Sequence, residues 1–89
     1  MKGIELEIFY NNDATEAAEI LNIVIPLRDH ETRLVTFYRI DAISTHIDLD
    51  DIEQREYCRL FTGGEDFTCV LPYSEVKYML INNVVFIMK

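Results

Sequence analysis

The stretch that decides the fold is EYCRLFTGGEDFTCVL, which runs from Glu56 to Leu71. A Gly-Gly pair readily supplies the positive φ angles of a two-residue hairpin turn, so Gly63-Gly64 predicts a tight turn between two antiparallel strands. This turn places two cross-strand pairs on one face: Cys58 with Cys69, and Leu60 with Phe67. The apolar alternation of both strands agrees with this register, since a shift by one residue would set their apolar faces against each other.

Four segments that precede this hairpin also read as strands. Residues 2–10 alternate between apolar and polar side chains, which predicts a half-buried strand. The branched residues of 20–27 predict a strand that ends or lies at an edge near Pro26. We expect it to pair with a strand at 32–40 across the polar turn 28–31. A bulged strand is predicted over 41–49.

Helix signals occur near both ends of the chain. Asp13 with Glu16 resembles a capping box and predicts a short helix near residues 13–21, with an irregular loop as the alternative. Ser74 can cap a C-terminal helix over about 74–82, whose apolar face includes Val76. We expect Asn82-Asn83 to end that helix and residues 84–88 to form a last strand.

These elements predict one domain over residues 1–89, of the α+β class and mostly β. The expected architecture is a curled antiparallel sheet of about five to seven strands, or a small barrel, with the C-terminal helix packed against it. A domain this short buries only about 60–65% of the surface that its unfolded chain exposes. Modest stability and oligomerisation are therefore expected.

The charge of the chain disfavours nucleic acid as a partner. Sixteen acids against eight bases give a formal charge of −8, which repels phosphate backbones. The bases are spread singly along the sequence. Neither a signal-peptide pattern nor an apolar run of membrane-spanning length is present, so the sequence predicts a cytoplasmic protein without a membrane partner. The two cysteines are accordingly expected to be reduced.

The candidate metal ligands each have a simpler interpretation. Ten residues separate Cys58 from Cys69, so the two do not form the C-x2–4-C pair of a zinc site. We therefore expect core thiols rather than a disulfide or a metal site. His30 lies in a charged turn and is expected to be solvated. His46 is expected on the outer face of a strand. No metal ligand is therefore predicted.

The acidic stretch of residues 48–56 resembles a calcium loop but does not match one. Counting from Asp48, an EF-hand needs glycine at position 6 and glutamate at position 12, where this chain has Glu53 and Arg59. A solvated loop, open to a basic partner, is the expected structure. The sequence also has no nucleophile elbow and no glycine-rich phosphate loop. We therefore predict no catalytic residue and no cofactor.

Residues 38–80 resemble the FlbD family of small bacterial flagellar regulators and, more distantly, LytTR-type DNA-binding domains. The shared pattern is Ile40-Asp41-Ala42-Ile43-Ser44, then a strand, the Gly63-Gly64 turn, a second strand, and Pro72-Tyr73-Ser74-Glu75-Val76 at a helix start. The resemblance implies a mostly antiparallel β sheet or barrel with a helix at one end. No functional residue of this chain is assigned from the resemblance. The acidity of the chain departs from what a DNA-binding relative would require.

Several strands carry large apolar side chains on both faces, which places them either between two layers or at an interface. Phe9 lies opposite the face of Ile4, and Tyr57 and Val70 lie opposite the cysteines. The leading hypothesis is therefore a non-catalytic protein-interaction or structural module that binds a protein partner or associates with itself. The alternatives are a small transcriptional regulator and an enzyme that uses surface carboxylates.

Overall fold

Five strands form one open antiparallel sheet in the computed structural model, which describes the backbone of residues 3–87 and the side chains of residues 3–82. The strands are β1 Ile4–Tyr10, β2 Glu31–Phe37, β3 Ala42–Ile47, β4 Glu56–Thr62 and β5 Glu65–Cys69. Their order is β2-β1-β5-β4-β3, so β2 and β3 are the two edges. The predicted α+β class with mostly β content is confirmed, with an open sheet rather than a barrel.

The β4–β5 hairpin has the predicted turn and register. Gly63 and Gly64 have φ angles of 58° and 83°, in the left-handed region that glycine adopts without a steric penalty. Cys58 pairs with Cys69, and Leu60 pairs with Phe67. The turn is also held from outside, because the backbone N–H of Gly63 donates to a carboxylate oxygen of Asp41 at 3.0 Å.

The core lies between one face of this sheet and the C-terminal helix α2 (Tyr73–Ile87). We call this sheet side the core face and the opposite side the second face. Alternation along each strand sends every other side chain into the core, which is why the apolar residues recur with a period of two. The buried members of the core are Ile4, Leu6, Ile8, Phe37, Cys58, Leu60, Cys69 and Val76.

The predicted pairing of residues 20–27 with 32–40 is wrong. Strand β2 pairs instead with β1, with Phe37 opposite Ile4 and Val35 opposite Leu6. This pairing adds two apolar side chains to the face that already carries the apolar residues of β1. The β3 strand, Ala42–Ile47, is shorter than the predicted 41–49 and pairs with β4.

Helix α1 spans Asp13–Ile20, so the predicted short helix is confirmed, with a different cap. Asn12 is the N-cap residue rather than Asp13: its side chain accepts the N–H of Thr15 at 3.0 Å. The Thr15 hydroxyl accepts the Asn12 N–H in return at 2.8 Å. Asn22, two residues after the end of α1, has a φ of 58° and so adopts the left-handed conformation common after a helix.

The predicted strand over residues 84–88 is also wrong, because α2 continues through Asn82-Asn83 to Ile87; Met88 lies outside the described residues. Asparagine in a helix costs only about 0.7 kcal/mol or less relative to alanine, so two of them do not force an end. The predicted apolar face is confirmed at Val76, which is fully buried.

Candidate functional site

The second face of the sheet is covered in part by residues 21–30, which we call the cover segment. Its only regular structure is a short 3-10 helix at Leu27–Asp29. Arg28 and His30 line one cleft together with Phe9 and Tyr57 of the sheet. The rings of Phe9 and Tyr57 pack edge to face with centroids 5.1 Å apart. The cover segment therefore explains how Tyr57 is 5% exposed on the face away from the core.

Asp48 attaches the cover segment to the turn that follows β3. One carboxylate oxygen of Asp48 accepts the backbone N–H of Leu27 at 2.7 Å. The other accepts the N–H of Asp50 at 3.1 Å. Asp48 is 5% exposed, so both bonds are sheltered from water. Leu27 thus bonds to a side chain instead of a neighbouring strand, and the predicted strand 20–27 does not form.

Asp51 provides the second attachment. Its side chain is fully buried, and one carboxylate oxygen accepts the N–H of Glu53 at 2.9 Å. The other oxygen lies 3.4 Å from Nε of Arg28 in the cover segment. A buried carboxylate is costly without a counter-charge, and Arg28 supplies one.

The prediction of a wholly solvated acidic loop over residues 48–56 is therefore wrong for Asp48 and Asp51. Both carboxylates accept the backbone N–H two residues ahead, which is the Asx-turn pattern. An aspartate at the start of a polar turn is a local signal for this kind of bond. The burial of the two side chains was not readable locally, because it depends on a segment about twenty residues away.

A cleft of about 670 Å³ opens between the cover segment and the second face. His30, His46, Asp48, Asp50 and Arg59 are among the residues that line it. His30 is half-buried rather than solvated, because Nε2 of its ring lies 3.0 Å from the carbonyl oxygen of Ile25. His46 lies on the second face, as expected, and is half-buried. Within residues 3–87, the structure brings together no group of three or more His, Cys, Asp or Glu that could hold a metal ion.

Large apolar side chains are exposed on the segments that form this cleft and next to them, and two of these, Ile23 and Val24, line it. Ile20 is 81% exposed and Ile52 is 95% exposed. The cover segment and the turn after β3 are joined by the Leu27–Asp48 hydrogen bond, and both contribute residues to this cleft, so we group their exposed apolar residues, with Ile20 at the end of α1, into one region. We call this region the apolar end; its members are Ile20, Leu21, Ile23, Val24, Leu49 and Ile52.

The arginines and Lys77 of the described residues are engaged by neighbouring groups. Four arginines form ion pairs with carboxylates: Arg28 with Asp51 and Glu53, Arg39 with Asp41, Arg55 with Glu53, and Arg59 with Asp66. The guanidinium of Arg33 lies 3.9 Å from the ring centroid of Tyr10, and Nζ of Lys77 lies 6.0 Å from that of Tyr73. A surface that neutralises phosphates needs clustered free bases, which these residues do not supply.

Cys58 and Cys69 are free, fully buried thiols in the core, as predicted. Burial, together with the neighbouring Cys69, raises the pKa of Cys58 to about 11. Burial also raises the pKa of Cys69. Only the thiolate is a nucleophile, so both thiols are unreactive at neutral pH.

We expect neither thiol to react with a soluble disulfide reagent at pH 8 while the protein is folded. The folded-state pKa of Cys58 leaves only about 0.1% of it as thiolate at that pH, and both sulfurs are sheltered from the reagent. The measurement is the rate at which the reagent releases its own thiol on reaction with the protein. Protein unfolded in urea is the control, and it should react at once. Rapid labelling of folded protein would contradict the burial of this pair.

No described helix is both long enough and apolar enough to span a membrane. Comparison of the chain with protein-family models, with curated proteins and with solved structures finds no match in any of the three. The similarity to FlbD and LytTR-type regulators therefore stays a prediction from the sequence.

Proposed function

We propose that this chain is a non-catalytic, cytoplasmic protein-interaction module whose apolar end binds a protein partner. The observation that carries the proposal is the exposure of six large apolar residues at the end of α1, on the cover segment and on the turn after β3, of which Ile23 and Val24 line the cleft. Scattered apolar residues are normal on a protein surface, but a concentration of them beside a cleft is typical of an interaction site.

The charge around the apolar end favours a basic partner. Glu19 and Asp50 are exposed and line the cleft, and neither takes part in an ion pair among the described residues. Asp13 and Glu16 are exposed on α1, which leads into this region. A partner segment that alternates basic and apolar side chains would complement both features.

The proposal is tested by capture of the tagged chain from a lysate of its native host, with nuclease added. We expect a protein partner to remain bound after nuclease treatment. Ile52→Ser or Val24→Ser is expected to reduce its recovery by about tenfold or more, as truncation of an interface anchor does. Higher salt should also reduce recovery, because opposite charges across the interface are screened.

Tyr78→Ser is the matched control, since Tyr78 is 68% exposed on α2, outside the apolar end, and its loss should leave recovery unchanged. Equal recovery with all three variants would rule out the apolar end as the binding surface. Loss of all bound material on nuclease treatment would instead support the regulator alternative.

A further inference from the structure

Strand β2 offers a long, regular sheet edge that the described structure leaves uncovered by any other strand. It pairs with β1 on one side and with no strand of residues 3–87 on the other. Edge strands are commonly protected by proline, charged side chains, a bulge or short length, and the two charged residues of β2, Glu31 and Arg33, are both held by Tyr10 of β1. The seven residues of β2, ETRLVTF, contain no proline, lysine or glycine and run in unbroken register with β1.

The structure determines which backbone groups of β2 point outward. The N–H of Val70 next to β5 donates to the carbonyl of Glu7 at 3.0 Å, so the backbone of Glu7 faces β5. Neighbouring residues of a strand face opposite sides, so Leu6 and Ile8 face β2, where they meet Val35 and Arg33. The intervening residues Thr32, Leu34 and Thr36 must then direct their N–H and C=O groups away from the sheet.

These three outward residues read Thr-x-Leu-x-Thr, which is the same in both directions from Leu34. An antiparallel copy of the strand therefore meets it with matching chemistry. From this symmetry we infer that β2 is a self-association edge whose occupant is β2 of a second copy of this chain. This inference does not rest on the proposed function, since it uses a different surface from the apolar end.

A two-fold axis at Leu34 gives the largest number of interchain bonds. Leu34 then pairs with Leu34 of the second copy, and Thr32 with Thr36 in both directions. These three pairs provide about six backbone hydrogen bonds, two for each pair. A shift of the axis to Arg33 or to Val35 provides only about four, and the first also sets two arginines directly opposite each other.

The side chains are compatible with this pairing. Leu34 is 66% exposed on the second face, so its pairing across the axis removes apolar surface from water. Thr–Thr pairs across strands are favourable. The two Arg33 side chains come to diagonal positions, where their charges repel each other only at a distance. Each guanidinium also lies over the Tyr10 ring of its own chain, and Glu31 is hydrogen-bonded to that tyrosine. The product is a continuous sheet of twice five strands.

The dimer is tested by sedimentation of the purified full chain over a concentration series. We expect a species of twice the 10.5 kDa chain mass, favoured by higher salt because each copy carries a charge of −8. Leu34→Lys should weaken the dimer by about tenfold or more, since it sets like charges opposite each other. Leu49→Lys, a change of the same chemistry at a side chain 77% exposed elsewhere, should leave the dimer intact.

A cysteine introduced as Leu34→Cys tests the register. The two new thiols would meet across the axis, at a Cα separation of about 5.5 Å that a disulfide accepts. We expect a covalent dimer under mild oxidation, with the native thiols protected by burial. Thr36→Cys should not cross-link, because its two copies would lie about 13 Å apart along the strands.

A monomer at all concentrations and salt conditions would overturn the inference, as would a dimer that Leu34→Lys leaves unchanged. Cross-linking through Thr36→Cys but not Leu34→Cys would overturn the register. Circular dichroism of each variant establishes that the fold is retained. Failure of the dimer is distinguishable from failure of the apolar end, because Leu34→Lys and Ile52→Ser act on separate readouts.

Discussion

Replacing Leu60 with alanine is expected to lower the free energy of unfolding by about 2–5 kcal/mol. Leu60 is fully buried, and it pairs with Ile43 of β3 on one side and Phe67 of β5 on the other. The substitution leaves a cavity at the centre of the core face that the flanking strands cannot fill without breaking register. A domain of this length has a total stability of about 5–13 kcal/mol, so this single change removes a large share of it.

Urea unfolding followed by circular dichroism measures this loss, since the chain has no tryptophan. The matched control is Leu49→Ala, where the same side chain is 77% exposed and its removal should change stability by about 0.5 kcal/mol or less. Equal effects of the two substitutions would contradict the position of the core.

The second large effect is expected from Asp48→Ala, at about 2–4 kcal/mol. The substitution removes two sheltered, charge-assisted hydrogen bonds, from the N–H groups of Leu27 and Asp50. The cover segment would lose its attachment to the turn after β3, and the Tyr57 ring beneath it would gain exposure to water.

Hydrogen exchange at the Leu27 amide is the most direct measurement, and it should accelerate in the variant along with the loss of stability. Asp50→Ala is the control, because Asp50 is an exposed acid two residues away whose side chain accepts no hydrogen bond from the described part of the chain. If Leu27 exchanged at the same rate in both variants, the cover segment would be held by something other than Asp48.

Local chemistry was sufficient for the parts of the fold that depend on neighbouring residues. The Gly63-Gly64 turn fixed the register of its own hairpin, because the φ angles of two residues determine which side chains face each other across it. The helix after Asn12 was also predictable from a cap and a short apolar pattern. The cap itself was misassigned by one residue, since Asn12 and Asp13 both suit that position.

Long-range choices could not be made from the sequence. Residues 20–27 and 31–37 are both rich in branched and apolar residues, and only competition for the edge of β1 decided which became a strand. The candidate site has the same origin. From the sequence, Asp48 and Asp51 were expected to lie in a solvated loop. In the structure the cover segment, about twenty residues earlier in the chain, brings Leu27 and Arg28 to them.

The sequence by itself determined the class of this protein, its acidity, its two core thiols and the hairpin at its centre. Each of these depends on composition or on residues close together in the chain. Only the tertiary structure decided the strand order, the partner of β2, the burial of two aspartates and which apolar side chains stay exposed. Those features depend on contacts between distant segments, whose free energies come from packing and burial rather than from local preference.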